Sequence, residues 1–312
     1  MTRALACVIV LLLAVPALAA DPIAALTELR GRRGEVEVKA ADRPEWAVAK
    51  PLQSLRPGDQ LRVSGEGRAV LLFTGGRGTV VVTSANSPFT VVAPATEGLG
   101  GRAKSVIGDV TGFLLRQERE RTYQSLGTRG IIRAAPPAIV APRNTRVMPE
   151  GLVFEWLGSD RLRYRVRLVG PQGVVWEAAD LERKPLAYPA SAPALTPGAG
   201  YVWELITREH GVQAAQFQVA SASDAAAVRD ALAELTSGAG SAYPPATLTL
   251  MRATVLFQDR FYADARRELA AAIAAAPQEA TLHLMLGRVY ERIGLRDLAT
   301  SAFDEADALS GR

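Results

Sequence analysis

Cysteine and histidine, which build many active sites, are scarce in this chain of 312 residues. The single cysteine, Cys7, excludes a disulfide framework, a four-thiolate zinc site and an iron–sulfur cluster. Only two histidines are present, His210 and His283, and neither lies near a nucleophile motif. The motifs Gly-x-Ser-x-Gly, His-Glu-x-x-His and Ser-x-x-Lys are also absent. We therefore predict no enzyme activity, no catalytic residues, no metal site and no cofactor.

Lysine is scarce too, with four residues, so most of the 36 basic side chains are arginines. The formal net charge of +4 is unevenly distributed along the chain. Residues 21–146 hold 19 basic and 12 acidic residues, or +7, whereas residues 147–312 hold 16 and 20, or −4; Arg3 adds +1. A basic first half leaves open a contact with an anionic envelope polymer or lipid.

An export signal is predicted at the N-terminus. Residues 4–20 form an apolar stretch that follows Arg3 and closes with Pro16 and the small-residue triplet Ala17-Leu18-Ala19. We interpret residues 1–19 as a cleaved signal peptide, which leaves no transmembrane segment. An uncleaved anchor is the alternative, but 17 residues are few for a membrane span. The predicted location is periplasmic or secreted, so nucleic acid is not an expected partner.

Residues 20–97 read as a small all-β domain. Short β-branched runs alternate with Gly, Pro and Asn at residues 35–39, 60–63, 68–73, 79–83 and 89–92. The cluster Thr74-Gly75-Gly76-Arg77-Gly78 supplies the positive φ angles of a hairpin. It lacks the Gly-Lys-Ser/Thr ending of a phosphate-binding loop and leads into a strand, so a hairpin is predicted.

The same residues resemble the FecR-like domain, a periplasmic module of signalling regulators. The resemblance covers about sixty residues and is carried by Val36, Trp46, Pro51-Leu52, Leu55, residues 57–63, residues 69–72, Gly78 and Val80. It implies a β-rich sensing or binding module without catalytic residues. Only three residues precede the apolar stretch, so direct control of a sigma factor is not expected.

Residues 98–145 are predicted to connect two domains. Val106, Val110, Phe113 and Leu114 recur at helical spacing, which predicts a short amphipathic helix. The charged run at residues 116–121 is interpreted as a solvated helix face. Pro136-Pro137 and Pro142 then favour an extended segment.

Residues 146–220 are predicted to form a β-sandwich domain. From Pro149 to Val219 the apolar period is two residues, as in half-buried antiparallel strands. The turn signals between the strands are spaced as in a sandwich of seven strands. Residues 195–198 before Tyr201 resemble the tyrosine corner of immunoglobulin-like and fibronectin III domains. The resemblance implies a spacer or a binding sandwich, and no reaction.

One strand of this sandwich carries a row of arginines. Arg161, Arg163, Arg165 and Arg167 lie on the face opposite Leu162, Tyr164, Val166 and Leu168. The row is a candidate anion-binding stripe. The alternative is a solvated strand whose arginines pair with Glu155, Glu177 or Glu204 on neighbouring strands.

From Ser221 onward the apolar period changes to 3.6 residues. Ser221 to Asp224 read as a capping box, and helices are predicted at residues 225–235, after Pro244-Pro245, and at 261–276, 278–293 and 295–309. A shift of 34 residues superposes five small or large core positions. The superposed pairs are Ala253 with Gly287, Leu256 with Tyr290, Ala265 with Ala299, Leu269 with Phe303, and Ala272 with Ala306.

This spacing resembles the tetratricopeptide repeat over about 90 residues, and residues 221–312 are identified as two to two and a half such repeats, the first departing from the pattern at Arg252. The resemblance implies a partner-binding groove lined by the first helix of each pair. The candidate groove residues are Leu250, Thr254, Phe257, Gln258, Leu284, Arg288, Glu291 and Arg292. The alternative is that Leu250, Phe257 and Leu284 pack on the sandwich.

The predicted fold class is multidomain, with an all-β FecR-like unit, a β-sandwich and an all-α repeat domain. The first functional hypothesis is a non-enzymatic cell-envelope adaptor or sensing scaffold whose repeats hold a partner protein. The second is a module that binds an anionic envelope polymer, peptidoglycan or lipopolysaccharide, through its basic β domains. A hydrolase with an unconventional acidic site is the third.

Overall fold

A computed structural model describes residues 20–94, 101–117, 137–237 and 243–310. The predicted signal peptide at residues 1–19, Cys7 and most of the charged run that follows Arg116 lie outside the described residues. The described chain comprises two β-rich regions followed by a C-terminal helical region. The predicted multidomain layout is therefore confirmed at this coarse level.

The N-terminal region is a sandwich of two four-stranded antiparallel sheets, with strand orders β4-β1-β6-β7 and β3-β2-β5-β8. Its core lies between the sheets and includes Leu26, Leu61 and Phe73. The strands are β1 Ala24–Arg30, β2 Val36–Lys39, β3 Ala47–Val48, β4 Ser54–Leu55, β5 Gln60–Val63, β6 Arg68–Phe73, β7 Thr79–Thr83 and β8 Phe89–Thr90. Each of the five predicted runs contains a strand.

The predicted hairpin connection of this sandwich is present, and a second turn precedes β5. Gly75 and Gly78 have φ angles of 68° and 83° in the connection between β6 and β7, a region that glycine enters without a Cβ clash. Gly58 has a φ of 87° before β5, and the Asp59 carboxylate accepts the backbone N–H groups of Ala41 and Arg56 at 2.9 and 2.8 Å. The glycine cluster is therefore a hairpin connection.

Strand β1 is the longest strand of this sandwich that the sequence pattern missed, and the two-residue strands β3 and β4 also lie outside the predicted runs. Its first six residues are all buried, because one face packs into the sandwich core and the other faces the helices. A bulge at Thr27 interrupts its register with β6. A strand buried on both faces has no polar alternation, so the period-two pattern does not reveal it.

The middle region is a second sandwich, with a five-stranded sheet in the order β10-β16-β15-β12-β13 and a three-stranded sheet in the order β14-β11-β9. It has eight strands where the turn spacing predicts seven. The strands are β9 Ala138–Ala141, β10 Thr145–Val147, β11 Val153–Leu157, β12 Tyr164–Gly170, β13 Gly173–Leu181, β14 Leu186–Ala187, β15 Gly200–Thr207 and β16 Gly211–Val219. The Tyr201 hydroxyl accepts the backbone N–H of Thr196 at 2.9 Å, which is the contact of a tyrosine corner.

Six helices are described: α1 Gly101–Gln117, α2 Ala222–Ser237, α3 Pro245–Gln258, α4 Tyr262–Ala275, α5 Ala280–Arg292 and α6 Arg296–Leu309. Helix α3 packs against α4, and α5 against α6; the pairs meet through α4 and α5 and through α3 and α5. The cap before α2 is present, since the Asp224 N–H donates to the Ser221 hydroxyl at 3.1 Å. The predicted helices from residue 221 onward are confirmed.

Helix α1 belongs to the helical stack although more than a hundred residues separate it from α2. It contacts α2 and α3, and α2 contacts α3. Helices α3, α4 and α5 contact one another in the same pattern, α3 with α4, α4 with α5 and α3 with α5. The helix predicted in the connecting segment therefore supplies the partner that α2 lacks within the C-terminal sequence.

The 34-residue periodicity has a packing basis within the last helix pair. A Cβ placed on Gly287 of α5 would lie 2.5 Å from a ring carbon of Phe303 on α6. Glycine at this position lets the aromatic ring lie directly against the helix backbone. The small and large positions of the repeat are therefore in contact.

We expect Gly287→Ala to destabilise the protein by about 1–3 kcal/mol, because overpacking against Phe303 outweighs the gain in helix propensity. Gly108→Ala is the matched control, since a Cβ at this helical position meets nothing within 4 Å. The control should stabilise the protein by about 0.5–1 kcal/mol. Urea denaturation measures both values, and a stabilised Gly287→Ala variant would contradict the packing.

Candidate functional site

The predicted groove on the first helices of the repeats is largely filled by other parts of the chain. Helices α3 and α5 both contact β1, and α3 also contacts α1. Leu250 and Thr254 are fully buried, and Phe257 and Arg288 are 6% exposed. The prediction of an open groove lined by these four residues is therefore wrong, because they are buried and the helices that carry them pack on β1 and, for α3, on α1.

The aromatic contacts show what fills the groove. The Phe257 ring centroid lies 5.6 Å from that of Phe113 on α1 and 5.2 Å from that of Tyr262 on α4. Leu250, Phe257 and Leu284 join a cluster that includes Leu52 and Leu72 of the N-terminal sandwich. Intramolecular packing, the alternative, is thus the one observed. Most of the cluster belongs to the C-terminal helices themselves, and Leu52, Leu72 and residues of α1 join it.

Four of the predicted groove residues keep some exposure. Leu284 is half-buried, while Gln258, Glu291 and Arg292 are exposed. The Arg292 guanidinium lies 5.6 Å from the centre of the Phe257 ring and covers it from the solvent side. The four residues form only the rim of the predicted groove.

Glu28 of β1 is almost completely buried and joins the strand to the start of α3. One of its carboxylate oxygens accepts the backbone N–H and the hydroxyl of Thr247 at 3.0 and 2.9 Å. The other oxygen pairs with Arg68 at 2.5 Å. The N-cap of α3 is Pro244, whose side chain cannot cap the helix. A carboxylate from another region of the chain therefore satisfies an N-terminal N–H of α3, where the helix dipole favours negative charge.

Glu279 makes the second connection, between α5 and β1. It is the N-cap residue of α5 and is fully buried. Its carboxylate accepts the backbone N–H of Leu29 at 2.7 Å and pairs with the Arg30 Nε at 2.8 Å. Strand β4 pairs with β1 only near Ala24, so Glu279 provides the acceptor that a neighbouring strand would provide further along β1.

Burial raises the pKa of the Glu279 carboxyl above its ordinary value of 4.5, and the nearby Glu28 acts in the same direction. Hydrogen bonds from Arg30 and from the Leu29 N–H oppose this shift in pKa. The carboxyl group therefore binds its proton more tightly in the folded protein than in the unfolded chain.

A cleft of about 630 Å³ lies beside these two connections. Arg30 of β1 and Arg68 of β6 are direct cross-strand partners, so their side chains lie on the same face of the sheet. Opposite them the cleft is bounded by the start of α3 and the end of α4. The lining residues are Glu28, Arg30, Arg68, Pro245, Ala246, Thr249, Ala272, Ala275, Ala276, Pro277 and Gln278.

The middle sandwich contacts the opposite side of the helical region. The backbone N–H of Arg146 and the hydroxyl of Thr145 donate to the Arg260 carbonyl at 2.8 and 3.0 Å. Arg143 donates to the Ile293 carbonyl at 2.9 Å. An ion pair of 2.5 Å joins Arg266 of α4 to the Glu155 carboxylate of β11. Both sandwiches are therefore bonded to the helices.

The arginine stripe is paired with acidic side chains, as the solvated-strand interpretation predicts. Arg165 and Arg167 of β12 lie 3.1 and 2.8 Å from the Glu177 carboxylate, and Arg167 also reaches Glu204 at 3.3 Å. The Arg167 hydrogen bond lowers the pKa of Glu177. Paired arginines present little net charge to an added anion.

The other two arginines of the stripe precede β12. The Arg163 guanidinium lies 3.4 Å from Glu182. Arg161 donates its backbone N–H to the Ser159 hydroxyl at 3.2 Å. Glu155, a predicted partner of the stripe, pairs with Arg266 instead.

The described residues offer little for metal binding. Within residues 20–94, 101–117, 137–237 and 243–310, no three His, Cys, Asp or Glu side chains form a group that could hold a metal ion.

In the same ranges no helix is both long and apolar enough to cross a membrane. A ring nitrogen of His283 lies 3.0 Å from the Pro277 carbonyl oxygen.

No protein-family model matches this chain, and no curated protein matches it either.

The raised pKa of Glu279 predicts how stability changes with pH. Between the ordinary pKa of 4.5 and the higher pKa in the folded state, the folded protein binds more protons than the unfolded chain. The free energy of unfolding should therefore fall as pH rises through this range, relative to that of Glu279→Gln. Urea denaturation of both proteins from pH 4 to pH 8 measures the difference. A difference that stays constant with pH would contradict the assignment.

The paired stripe predicts unchanged binding to anions in the double variant Arg165→Gln, Arg167→Gln. Co-sedimentation with phosphatidylglycerol vesicles should match that of the parent, because Glu177 and Glu204 already neutralise both guanidiniums. Glu177→Gln is the informative control, since it frees Arg165 and leaves Arg167 paired with Glu204 alone, and it should increase binding. Loss of vesicle binding in the double variant would instead support the interpretation of the arginine row as an anion-binding stripe.

Proposed function

We propose that this protein is a non-enzymatic cell-envelope adaptor or sensing scaffold that binds a partner protein through its C-terminal helical repeats. The observation that carries the proposal is the cleft between β1, β6 and the ends of α3 and α4. It is a concave surface on the repeats, and the N-terminal sandwich forms its other wall. The cleft replaces the filled groove as the binding surface of the repeats.

Each region contributes to this function in a distinct way. The 34-residue period and the contact of Gly287 with Phe303 support a tetratricopeptide-like stack, a class that binds proteins. The tyrosine-corner contact supports a fibronectin III-like interpretation of residues 146–220. The FecR-like interpretation of residues 20–97 rests on the sequence resemblance. The apolar segment at residues 4–20 supports a periplasmic or secreted location.

Binding of peptidoglycan or lipopolysaccharide through the basic β domains is the alternative function. The pairing of Arg165 and Arg167 with acidic side chains weighs against it, because these guanidiniums are already neutralised. The N-terminal sandwich likewise pairs Arg30 with Glu279, Arg62 with Glu37 and Arg68 with Glu28. A partner protein is therefore the better supported ligand.

Site-specific photo-crosslinking in cells tests the proposed function. A photoreactive amino acid at Thr249 or Ala275 lies in the cleft, and the same residue at Val212, which is 59% exposed on β16, is the matched control. We expect a discrete, protease-sensitive adduct from the two cleft positions and none from Val212. Fractionation should place the adduct in the envelope.

Three results of this experiment would contradict the proposal. An adduct that resists protease would indicate an envelope polymer as ligand. An equal adduct at Val212 would indicate non-specific proximity, and the absence of adducts at Thr249 and Ala275 would remove the cleft as a protein-binding surface. Deletion of residues 221–312 is a poorer test, because it would expose Leu52 and Leu72, which pack in the helical cluster.

A further inference from the structure

We propose that a second pocket, on the middle sandwich, binds an anionic amphiphile, whose charged group contacts Arg260 and whose alkyl chain lies on a row of exposed valines. The pocket lies where β10, β12, β15 and β16 meet the turn between α3 and α4. Its volume of about 380 Å³ is within the range of sites for small ligands. It is separate from the cleft beside β1, so this proposal goes beyond the proposed function.

Arg260 has a backbone conformation that glycine usually supplies. It lies in the turn between α3 and α4 with a φ of 68°, and a shift of 34 residues superposes it on Gly294, whose φ is 81°. In both turns the N–H of the following residue donates to the carbonyl five positions earlier, at 2.7 and 2.8 Å. A side chain makes this conformation less favourable than glycine does. The arginine therefore adds strain that the turn does not need, and strain of this kind points to a role for the side chain.

The charge of Arg260 is not compensated by the described residues. Its side chain is exposed where it lines the pocket, and within the described ranges it forms no ion pair. The nearby carboxyl groups act on Arg146, the other charged residue of the lining. The Arg146 guanidinium lies 3.4 Å from Asp224, and it opposes the rise that burial gives to the pKa of Asp259. An anionic group is therefore the ligand that balances Arg260.

A row of valines leads from this pocket across the outer face of the five-stranded sheet. Val169 of β12 is the direct cross-strand partner of Val202 on β15 and of Val174 on β13. Val169 and Val202 line the pocket, while Val202 and Val174 are 40% and 62% exposed. Cross-strand neighbours form a contiguous apolar patch, which marks a binding surface. Three side chains are too few for a stable protein interface, but they suit an alkyl chain.

Glycine at position 200 leaves one wall of the pocket open. The φ of Gly200 is not positive, and a Cβ placed on it meets nothing within 4 Å, so neither the backbone nor the packing requires glycine. Gly200 begins β15 two residues before Val202, so a side chain here would lie on the same sheet face as the valine. The pocket thus has a cationic wall, an open wall and an apolar exit. A molecule with one anionic group on an alkyl chain suits all three.

The test is a titration of the full mature chain, labelled on its valine methyl groups, with decanoate below its micelle concentration. We expect saturable NMR shifts at Val169, Val174 and Val202. Decanol has the same chain without the charge, and acetate has the charge without the chain. Each should bind about tenfold or more weakly than decanoate, because each loses one of the two contacts.

Decyl phosphate distinguishes two sources of such a ligand. Tighter binding of decyl phosphate than of decanoate would assign the site to a phosphate headgroup, and weaker binding would assign it to a fatty acid. Either order of affinity supports the proposal, because both molecules carry an anionic group on an alkyl chain.

Arg260→Gly tests the charge without disturbing the turn, since it introduces the residue found at position 294. We expect this variant to be at least as stable to heat as the parent, yet to bind decanoate about tenfold or more weakly. Arg208→Gly is the matched control, because it removes one exposed arginine that does not line the pocket. The control should bind decanoate as the parent does.

Gly200→Phe tests the location by filling the pocket, and it should abolish the titration. Ala214→Phe is its control, because Ala214 is exposed on the neighbouring strand β16 and does not line the pocket. Circular dichroism and thermal unfolding show whether both variants fold as the parent does.

Five outcomes would overturn the proposal. Equal binding of decanol removes recognition of the charge, and equal binding of acetate removes the alkyl contact. Undiminished binding of decanoate by Arg260→Gly or by Gly200→Phe removes the proposed location. A marked loss of thermal stability in Arg260→Gly would show instead that the arginine is structural. Absence of saturation with both decanoate and decyl phosphate removes the site altogether, whereas adducts at Thr249 in the cleft would still support the adaptor function.

Discussion

The burial of β1 on both faces is the constraint on which this structure depends. The backbone polar groups of a strand between a sandwich core and a stack of helices cannot form hydrogen bonds with water. The same holds for the helix ends that contact the strand, so all of these groups need partners within the protein. Two carboxylates resolve this requirement. Glu28 extends from the strand to the first turn of α3, and Glu279 extends from the start of α5 to the strand edge. Each is paired with an arginine, so that neither charge is buried alone.

This arrangement explains which surface of the helices is free. Because β1 lies against α3 and α5, and α1 lies against α3, the inner face of the stack is part of the protein core. An open cleft lies instead at the ends of α3 and α4. The contacts of the middle sandwich with Arg260, Arg266 and Ile293 hold the stack from its other side. The chain is therefore more closely integrated than a series of domains joined by linkers. Its C-terminal half depends on residues from its N-terminal half.

Much of the local structure follows from the sequence, and the failures have specific causes. Apolar and polar side chains alternate around Trp203, and Thr196 and Tyr201 form a corner within six residues. Both patterns are local, so the middle sandwich could be predicted, apart from its eighth strand. The helices after Ser221 follow from the 3.6-residue period. Strand β1 was missed because both of its faces are buried. The pairing of α1 with α2 was missed because no periodicity connects segments so far apart in the chain.

The candidate site was less predictable than the fold. Leu250 and Phe257 are apolar residues on a helix face, and such a pattern is the same whether the face meets a partner or another part of the chain. The Arg30–Arg68 pair and its two buried glutamates could not be recognised from spacing, because the residues that make these contacts are up to 250 positions apart. Their significance arises only when β1 is placed against the helices.

The sequence by itself determined the local elements: the strands of the middle sandwich, the hairpin at Gly75, and the close contact that Gly287 permits with Phe303. These depend on backbone dihedral angles, apolar periods and residue volumes, which act over short separations along the chain. Only the tertiary structure decided which helix face is covered, which carboxylates are buried and where a cleft remains. Those outcomes depend on which apolar surfaces of distant segments bury one another and on which of their polar groups form hydrogen bonds together. The pattern of residues along the chain does not show either.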